Sequence, residues 1–437
     1  MSAEVAAHSA GPTRAYRSYV LTSLGIVAFF NFVDRSVFSV LAVSIKEDLS
    51  LSDTEIGLLG GFAFALFYAC LGVPLARLAD RSNRVRLVSI CLALWSAATA
   101  ACGLATGFLT LLLSRIGVGA GEAGCFPPSY SIISDYYPAN RRAFAIGMFH
   151  AGGNVGFLVG LMAAGLLADA VGWRAAFFIL GLPGVAFAGL FFATVREPLR
   201  GASPSPAATP LGLRDAIGLM RRRSAFVHLT IAYTLSILAF YSALAWLPHF
   251  FARTFGMDAS AIGFWYGLAF GGGLIVGVMF GALVAPSLIK RNPRWEYVFP
   301  GIGSLIAMPS FLLIYWIGNA DWALVFTAVG SAAVAMGLGP AFSAVQSLAE
   351  PSMRATAAAF VLLISAILGQ GLGPVLVGVL SDTLAGSLGD LALATALSVS
   401  TAAFAWSAVH VYLGSRRFVQ QVVTVPNTLP KDHVDGD

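Results

Sequence analysis

Residues 115–142 read RIGVGAGEAGCFPPSYSIISDYYPANRR, and residues 328–355, lying 213 positions further on, read AVGSAAVAMGLGPAFSAVQSLAEPSMRA. Laid one on the other without a gap, Gly117 meets Gly330, Gly124 meets Gly337 and Pro127 meets Pro340. Pro138 then meets Pro351, and Arg141 meets Arg354. The same register carries on past the quoted stretch, pairing Gly156, Gly160, Gly165 and Asp169 with Gly369, Gly373, Gly378 and Asp382. Matches of this kind in one register mean that the chain contains two copies of one scaffold. Glycine and proline are the residues that a backbone, rather than a side chain, requires.

The solvent of that scaffold follows from composition. Hydrophobic residues make up 58% of the 437 positions and charged residues 11%, against roughly half and a quarter in soluble domains. A water-soluble globule cannot hide that much apolar surface. Apolar stretches of about 20 residues, long enough to cross a bilayer, recur near 17–44, 55–76, 86–106, 108–133, 143–168 and 174–195. After a break they recur near 225–251, 260–286, 297–318, 322–348, 355–381 and 391–414. The reading is an all-α integral membrane protein of twelve transmembrane helices, in two six-helix halves with pseudo-two-fold symmetry. It divides into a polar tail (1–16), an N-terminal bundle (17–195), a Pro/Ser/Ala-rich linker (196–224), a C-terminal bundle (225–414) and a polar tail (415–437). The tail lacks the apolar core of a cleaved signal.

The net charge of +5 is not a nucleic-acid patch. Arg77, Arg81, Arg84 and Arg86, then Arg141 and Arg142, then Arg221, Arg222 and Arg223, then Lys290, Arg291 and Arg294 all fall in alternate connections. The intervening connections hold Lys46, Arg174 and Arg253. The rule that basic residues stay on the cytoplasmic side puts both termini in the cytoplasm; the expected location is a bacterial inner membrane. Cys70, Cys91, Cys102 and Cys125 lie in apolar runs without metal or disulfide spacing and read as small buried hydrophobes. No metal cluster, phosphate loop or nucleophile elbow is present, which argues against an enzyme, a bound cofactor or an ATP-driven pump. The run Gly271-Gly-Gly273…Gly277…Gly281 reads as a helix-packing ladder.

Two parallel-repeat halves are the build of alternating-access transporters. The loop Ala76-Arg-Leu-Ala-Asp80-Arg81-Ser-Asn83-Arg84 resembles the signature of the major facilitator superfamily, as does Gly172-Trp173-Arg174-Ala-Ala-Phe177. Asn83 stands where that pattern has Gly, and is expected to take the left-handed turn conformation in its place. Three further runs resemble the spinster branch: Phe32-Val-Asp34-Arg35, Asp80-Arg-Ser-Asn-Arg84 and Arg115-Ile-Gly-Val-Gly-Ala-Gly-Glu122-Ala. That resemblance implies export of sphingosine phosphate or lysophospholipids. The Asp-Arg pair and the Gly-Glu-Ala run also occur in organic-anion symporters of the same superfamily, which leaves an inward anion/proton symporter as the alternative. A receptor or scaffold without transport is the alternative of another class.

Four charges lie deep in the spans: Asp34 and Arg35 in the first, Arg115 and Glu122 in the fourth. Facing lipid, each would cost about 2.5–3.5 kcal/mol or more, so they are expected to face one cavity as a mutually paired network. Arg115 and Glu122 are seven residues apart and share a helix face. Their repeat partners are Ala328 and Ala335, so the charges are not needed to build the scaffold. An ion pair that merely ties two helices together is the competing account. Arginine keeps its charge, whereas a buried carboxylate can take up a proton near neutrality. Asp34 and Glu122 are therefore the candidate proton-coupling groups, with Arg35 and Arg115 binding an anionic, amphiphilic small molecule. Asn154, Gln346, Gln370, Tyr241 and Trp246 are candidate cavity-lining residues, with Trp265 beside them. His249 reads as a surface histidine, and His150 as a minor candidate. Asp80, Arg84, Asp135 and Arg141 are expected to form a cytoplasmic gate. Protons, the bilayer and a small-molecule cargo are the expected partners of a monomer.

Overall fold

A computed structural model describes residues 13–199, 218, 221–350 and 353–422. The expected tails and the centre of the linker lie outside these. The described residues hold eleven helices long and apolar enough to cross a membrane. They are α1 (Arg14–Asp48), α2 (Asp53–Arg81), α3 (Arg84–Cys102), α4 (Phe108–Tyr136) and α5 (Ala139–Thr194). After the linker come α6 (Ser224–Phe255), α7 (Ala259–Arg291), α8 (Trp295–Trp316), α9 (Ala320–Ser347), α10 (Thr356–Leu388) and α11 (Leu391–Gln421). Large apolar side chains stand on the outside, among them Leu283, Trp406 and Leu113. Such a surface belongs in lipid rather than water.

At 56 residues α5 is too long for one crossing, and it is broken at Gly172, whose φ of 81° and ψ of 159° lie outside the helical region. That φ is open to glycine and strained for other residues. The expected fifth and sixth spans fall on the two arms, 139–171 and 173–194. The break presents Trp173 and Arg174 to the end of α1: Trp173 Nε1 donates to Asp48 Oδ2 at 3.2 Å, Arg174 pairs with the same carboxylate, and Arg174 Nη2 donates to the Ala105 carbonyl at 3.2 Å. Asn83 departs from expectation. With φ −66° and ψ 115° it is extended, and its side chain accepts from Arg86 N at 2.7 Å. It replaces glycine as the N-cap of α3, not as a left-handed turn.

The repeat is also a repeat of contacts. Gly117 on α4 faces Ala98 on α3, and Gly330 on α9 faces Phe311 on α8, 213 positions on in both cases. Gly160 on α5 sits against Ser36 of α1, as Gly373 on α10 sits against Ser242 of α6, so α1 and α6 correspond at an offset of 206. Gly273, Gly277 and Gly281 lie against the α9 backbone. The glycine ladder is therefore a packing face.

The two halves meet at the end that carries Asp48 and Asp53. There α2 crosses α10 so closely that a Cβ on Gly57 would stand 2.5 Å from the Pro374 carbonyl oxygen, and α5 crosses α7 with Gly165 against Gly263. Overpacking such a crossing costs about 1–3 kcal/mol. Gly57→Val should therefore part the halves here. A Thr54→Cys/Asp382→Cys pair that cross-links in the parent should cross-link more slowly in the Gly57→Val background; an unchanged rate would show that the crossing tolerates bulk.

Candidate transport site

The site is built where α1, α2 and α4 face α6 and α10. Helix α1 brings Asp34 and Arg35 inward on successive residues, while α4 brings Arg115 and Glu122 on one face, all but Arg35 being fully buried. Arg35 Nε donates to Glu122 Oε2 at 2.6 Å. Its guanidinium also lies over three rings, with centroids at 4.8 Å for Tyr68, 5.1 Å for Phe64 and 5.6 Å for Phe32. Aromatic faces stabilise a cation that has lost part of its water.

The expected fully paired network is only half formed. Arg115 pairs with neither carboxylate. Its Nε donates to the Leu59 carbonyl at 3.3 Å and its guanidinium lies over Phe38 at 4.7 Å. Leu59 lies in a π-helical turn, Leu58–Phe62, that interrupts α2; such turns re-aim backbone groups and recur at functional sites. Neither oxygen of Asp34 has a hydrogen-bond partner among the described residues, although Thr99 and Trp95 lie beside it. Asn31, one turn before Asp34, is likewise buried with both side-chain atoms unpartnered, and so are Glu122 Oε1 and Arg35 Nη2. Unmet polar groups in a dry place are costly, so this cluster is poised to accept a proton, water or a ligand group.

Beside the cluster lies a cavity of about 660 Å³, counted with the solvent at its mouth. Arg35 and Arg115 supply its charge, Phe64 and Phe157 its apolar wall, and Tyr241 and Gln370 its face on the other half. Asn154 and Gln346 are exposed on α5 and α9 and do not line it. Trp246 is a correction: it is fully buried inside the C-terminal half, and its Nε1 donates to the Pro374 carbonyl at 2.9 Å. It clamps α6 to α10. His249 is a second correction, since it is buried rather than at the surface, 5.1 Å from the Trp246 ring. His150 is exposed and shares a 2.9 Å hydrogen bond with the Tyr130 hydroxyl. Trp265 is exposed. Among the described residues no cluster of three or more His, Cys, Asp or Glu is placed to hold a metal ion.

Of the four expected gate residues, Arg84 and Asp135 come together at 2.5 Å. Arg84 also pairs with Glu197 at 2.7 Å and donates to Ser131 Oγ and the Pro198 carbonyl. Glu197, which the sequence did not single out, further accepts from Val85 N at 3.0 Å. These partners belong to the N-terminal bundle and to the first residues of the linker, not to the C-terminal half. Asp80 and Arg141 are exposed.

The contact between halves is made at the opposite end, by residues that sequence reasoning missed. Asp53, at the start of α2, accepts two hydrogen bonds from Arg253 of α6, at 2.6 and 2.9 Å. It also pairs with Lys46 at 2.6 Å and accepts from Ser381 Oγ at 2.6 Å. Two further aspartates reach across reciprocally. Asp382 of α10 accepts from Thr54 N and Oγ1, at 2.8 and 2.6 Å, at the N-terminus of α2. Asp169 of α5 accepts from Ser260 N at 2.7 Å, and from its hydroxyl, at the N-terminus of α7. Carboxylates are favoured at helix N-termini. The signal was present in the sequence: Asp169 and Asp382 are repeat partners at 213, and Ser260 and Thr54 at 206.

The family profile described as Major Facilitator Superfamily matches residues 24–374. An MFS-type efflux pump of Mycolicibacterium smegmatis is 34% identical over 94% of this chain and 95% of its own. A probable L-galactonate transporter of Escherichia coli is 27% identical over 70% of this chain and 75% of its own. The crystal structure of a bacterial homolog to the human lysosomal transporter Spinster, inward-facing and unoccupied, superposes with a TM-score of 0.85 at 30% identity, covering 94% of this chain and all of that one. Repeat, central charge cluster, reciprocal closure of the halves and these likenesses agree: the chain belongs to the Major Facilitator Superfamily, in its spinster-like branch, and is a membrane transporter rather than an enzyme.

Proposed function

We propose that this transporter is a proton-coupled secondary carrier that works by alternating access and exports an anionic amphiphile of the lysophospholipid or sphingosine-phosphate type. The observation that carries the reading is Asp34. Its carboxylate, without a hydrogen-bond partner among the described residues, lies one residue from an arginine already held by Glu122, next to a second arginine, Arg115, that pairs with neither carboxylate. Protonation of Glu122 releases Arg35, and an incoming phosphate or carboxylate takes up the freed guanidinium together with Arg115. Loss of the proton then favours the Arg35–Glu122 pair and displaces the cargo, so proton and anion move together and export runs on the cargo's own outward gradient. The aromatic and aliphatic wall of Phe64 and Phe157 suits an alkyl chain. The break at Gly172 supports a reading of twelve crossings, the basic connections support cytoplasmic termini in a bacterial inner membrane, and the proposed working unit is a monomer. In that orientation the ion pairs of Asp53 close the outer side, and Asp80, Arg84, Asp135 and Arg141 form an inner gate in the other state.

A sugar-acid/proton symporter is the second reading, favoured by the similarity to the L-galactonate transporter. Counterflow in proteoliposomes separates the two. With an imposed pH gradient, a labelled lysophospholipid should exchange and a labelled sugar acid should not. Asp34→Asn and Glu122→Gln should each lower pH-driven exchange about tenfold or more, the factor that 1.4 kcal/mol represents. Unchanged pH-driven rates in both variants would remove proton coupling from this site.

A further inference from the structure

A second and larger hollow lies outside the central site, in the groove between α1 and α5 at the end of the molecule opposite Asp53. It holds about 1570 Å³, counted with the solvent at its mouth, and runs from Arg14 to Phe29 along α1. By helical rise that is about 22 Å, enough to traverse one leaflet of a hydrocarbon core about 30 Å thick. Three guanidinium groups, Arg14, Arg17 and Arg141, stand at its polar end. Beyond them the wall is apolar and open: Phe144 is 66% exposed, Met148 48% and Val155 51%.

The repeat supplies its own control. At the offsets fixed by the contacts above, Arg17 corresponds to Arg223, Phe144 to Ala357 and Met148 to Val361. In that second copy Ala357 is 0% and Val361 1% exposed. Both copies therefore carry arginines at this place, Arg17 and Arg141 matching Arg223 and Arg354, and the N-terminal copy departs from the scaffold by leaving Phe144 and Met148 exposed where Ala357 and Val361 are buried.

We propose that this groove binds a phospholipid of the surrounding bilayer with an anionic headgroup, the phosphate lying on Arg17 and Arg141 and an acyl chain lying along Phe144, Met148 and Val155. Basic pockets between membrane helices favour anionic lipids in this way, and an apolar wall of this length has no use for a free anion. The proposal does not depend on what the central site carries. The test is binding to the purified full chain in neutral detergent, read by native mass spectrometry and by thermal midpoint. Phosphatidylglycerol should remain bound and raise the midpoint, whereas phosphatidylcholine and inorganic phosphate should do neither. Arg17→Gln/Arg141→Gln should weaken phosphatidylglycerol binding about tenfold or more. Val155→Trp, which fills the groove and keeps every charge, should weaken it as well. Arg115→Gln, in the central cavity, should leave it unchanged. Equal retention of both lipids, a midpoint shift with inorganic phosphate alone, or unaltered binding in both groove variants overturns the proposal.

Discussion

Arg35→Met should lower the stability of the folded chain by about 3–5 kcal/mol, the cost of leaving one member of a buried ion pair alone. Glu122 is fully buried, and Arg35 is its hydrogen-bonded cation at 2.6 Å. Without it, both carboxylate oxygens would be unpaired in a low-dielectric place. The informative variant is the double replacement, Arg35→Met with Glu122→Leu. Removing both partners together is commonly close to neutral, so the thermal midpoint of the double variant should return most of the way to the parent. Transport should not return if the proposed mechanism holds, because it would then have lost both its anion receptor and its proton acceptor. Recovery of transport with recovery of stability would reduce the pair to a structural tie between α1 and α4.

The second large effect is expected at the opposite end of the pathway. Asp53→Ala removes the one acceptor that Lys46, Arg253 and Ser381 share, and leaves the two cations beside each other. Truncating one partner of a desolvated charge pair costs about 2–5 kcal/mol. The lower end applies here, because Arg253 keeps part of its solvent. About 2 kcal/mol is a shift of roughly thirtyfold between conformations. Spin labels at Thr106→Cys and Asp321→Cys, on the two halves at the closed end, should report a new and longer distance in the Asp53→Ala chain. A distance distribution identical to the parent would mean that the lock does not set the balance.

These residues show why the sequence was informative in some places and silent in others. The scaffold could be read because glycine, proline and aspartate answer to backbone contacts, and those contacts recur: Gly117 with Ala98, Gly330 with Phe311. The deep charges could be read because each stands in an apolar run where it is expensive. Their pairing could not, since which arginine meets Glu122 depends on helix rotation and on the π-helical turn that brings the Leu59 carbonyl to Arg115. Asp53, Lys46 and Arg253 lie at span ends, where charge is ordinary, so only their meeting in space marks them. Trp246 and His249 misled for the opposite reason. Trp246 reads as a cavity wall and His249 as a surface group, yet both are buried, Trp246 bonded to the Pro374 carbonyl of α10 and His249 against the Trp246 ring.

The exchange of aspartates between the halves has a consequence for kinetics. Each half holds the start of a helix in the other, Asp382 at Thr54 and Asp169 at Ser260, so the two ties sit at corresponding places along one seam. A rigid tilt of one half against the other stretches both together, and breaking one alone would require shearing the seam that the second still pins. Opening is therefore concerted. Partly unzipped forms, leaky to protons and cargo alike, are kept scarce by the geometry of the duplication itself.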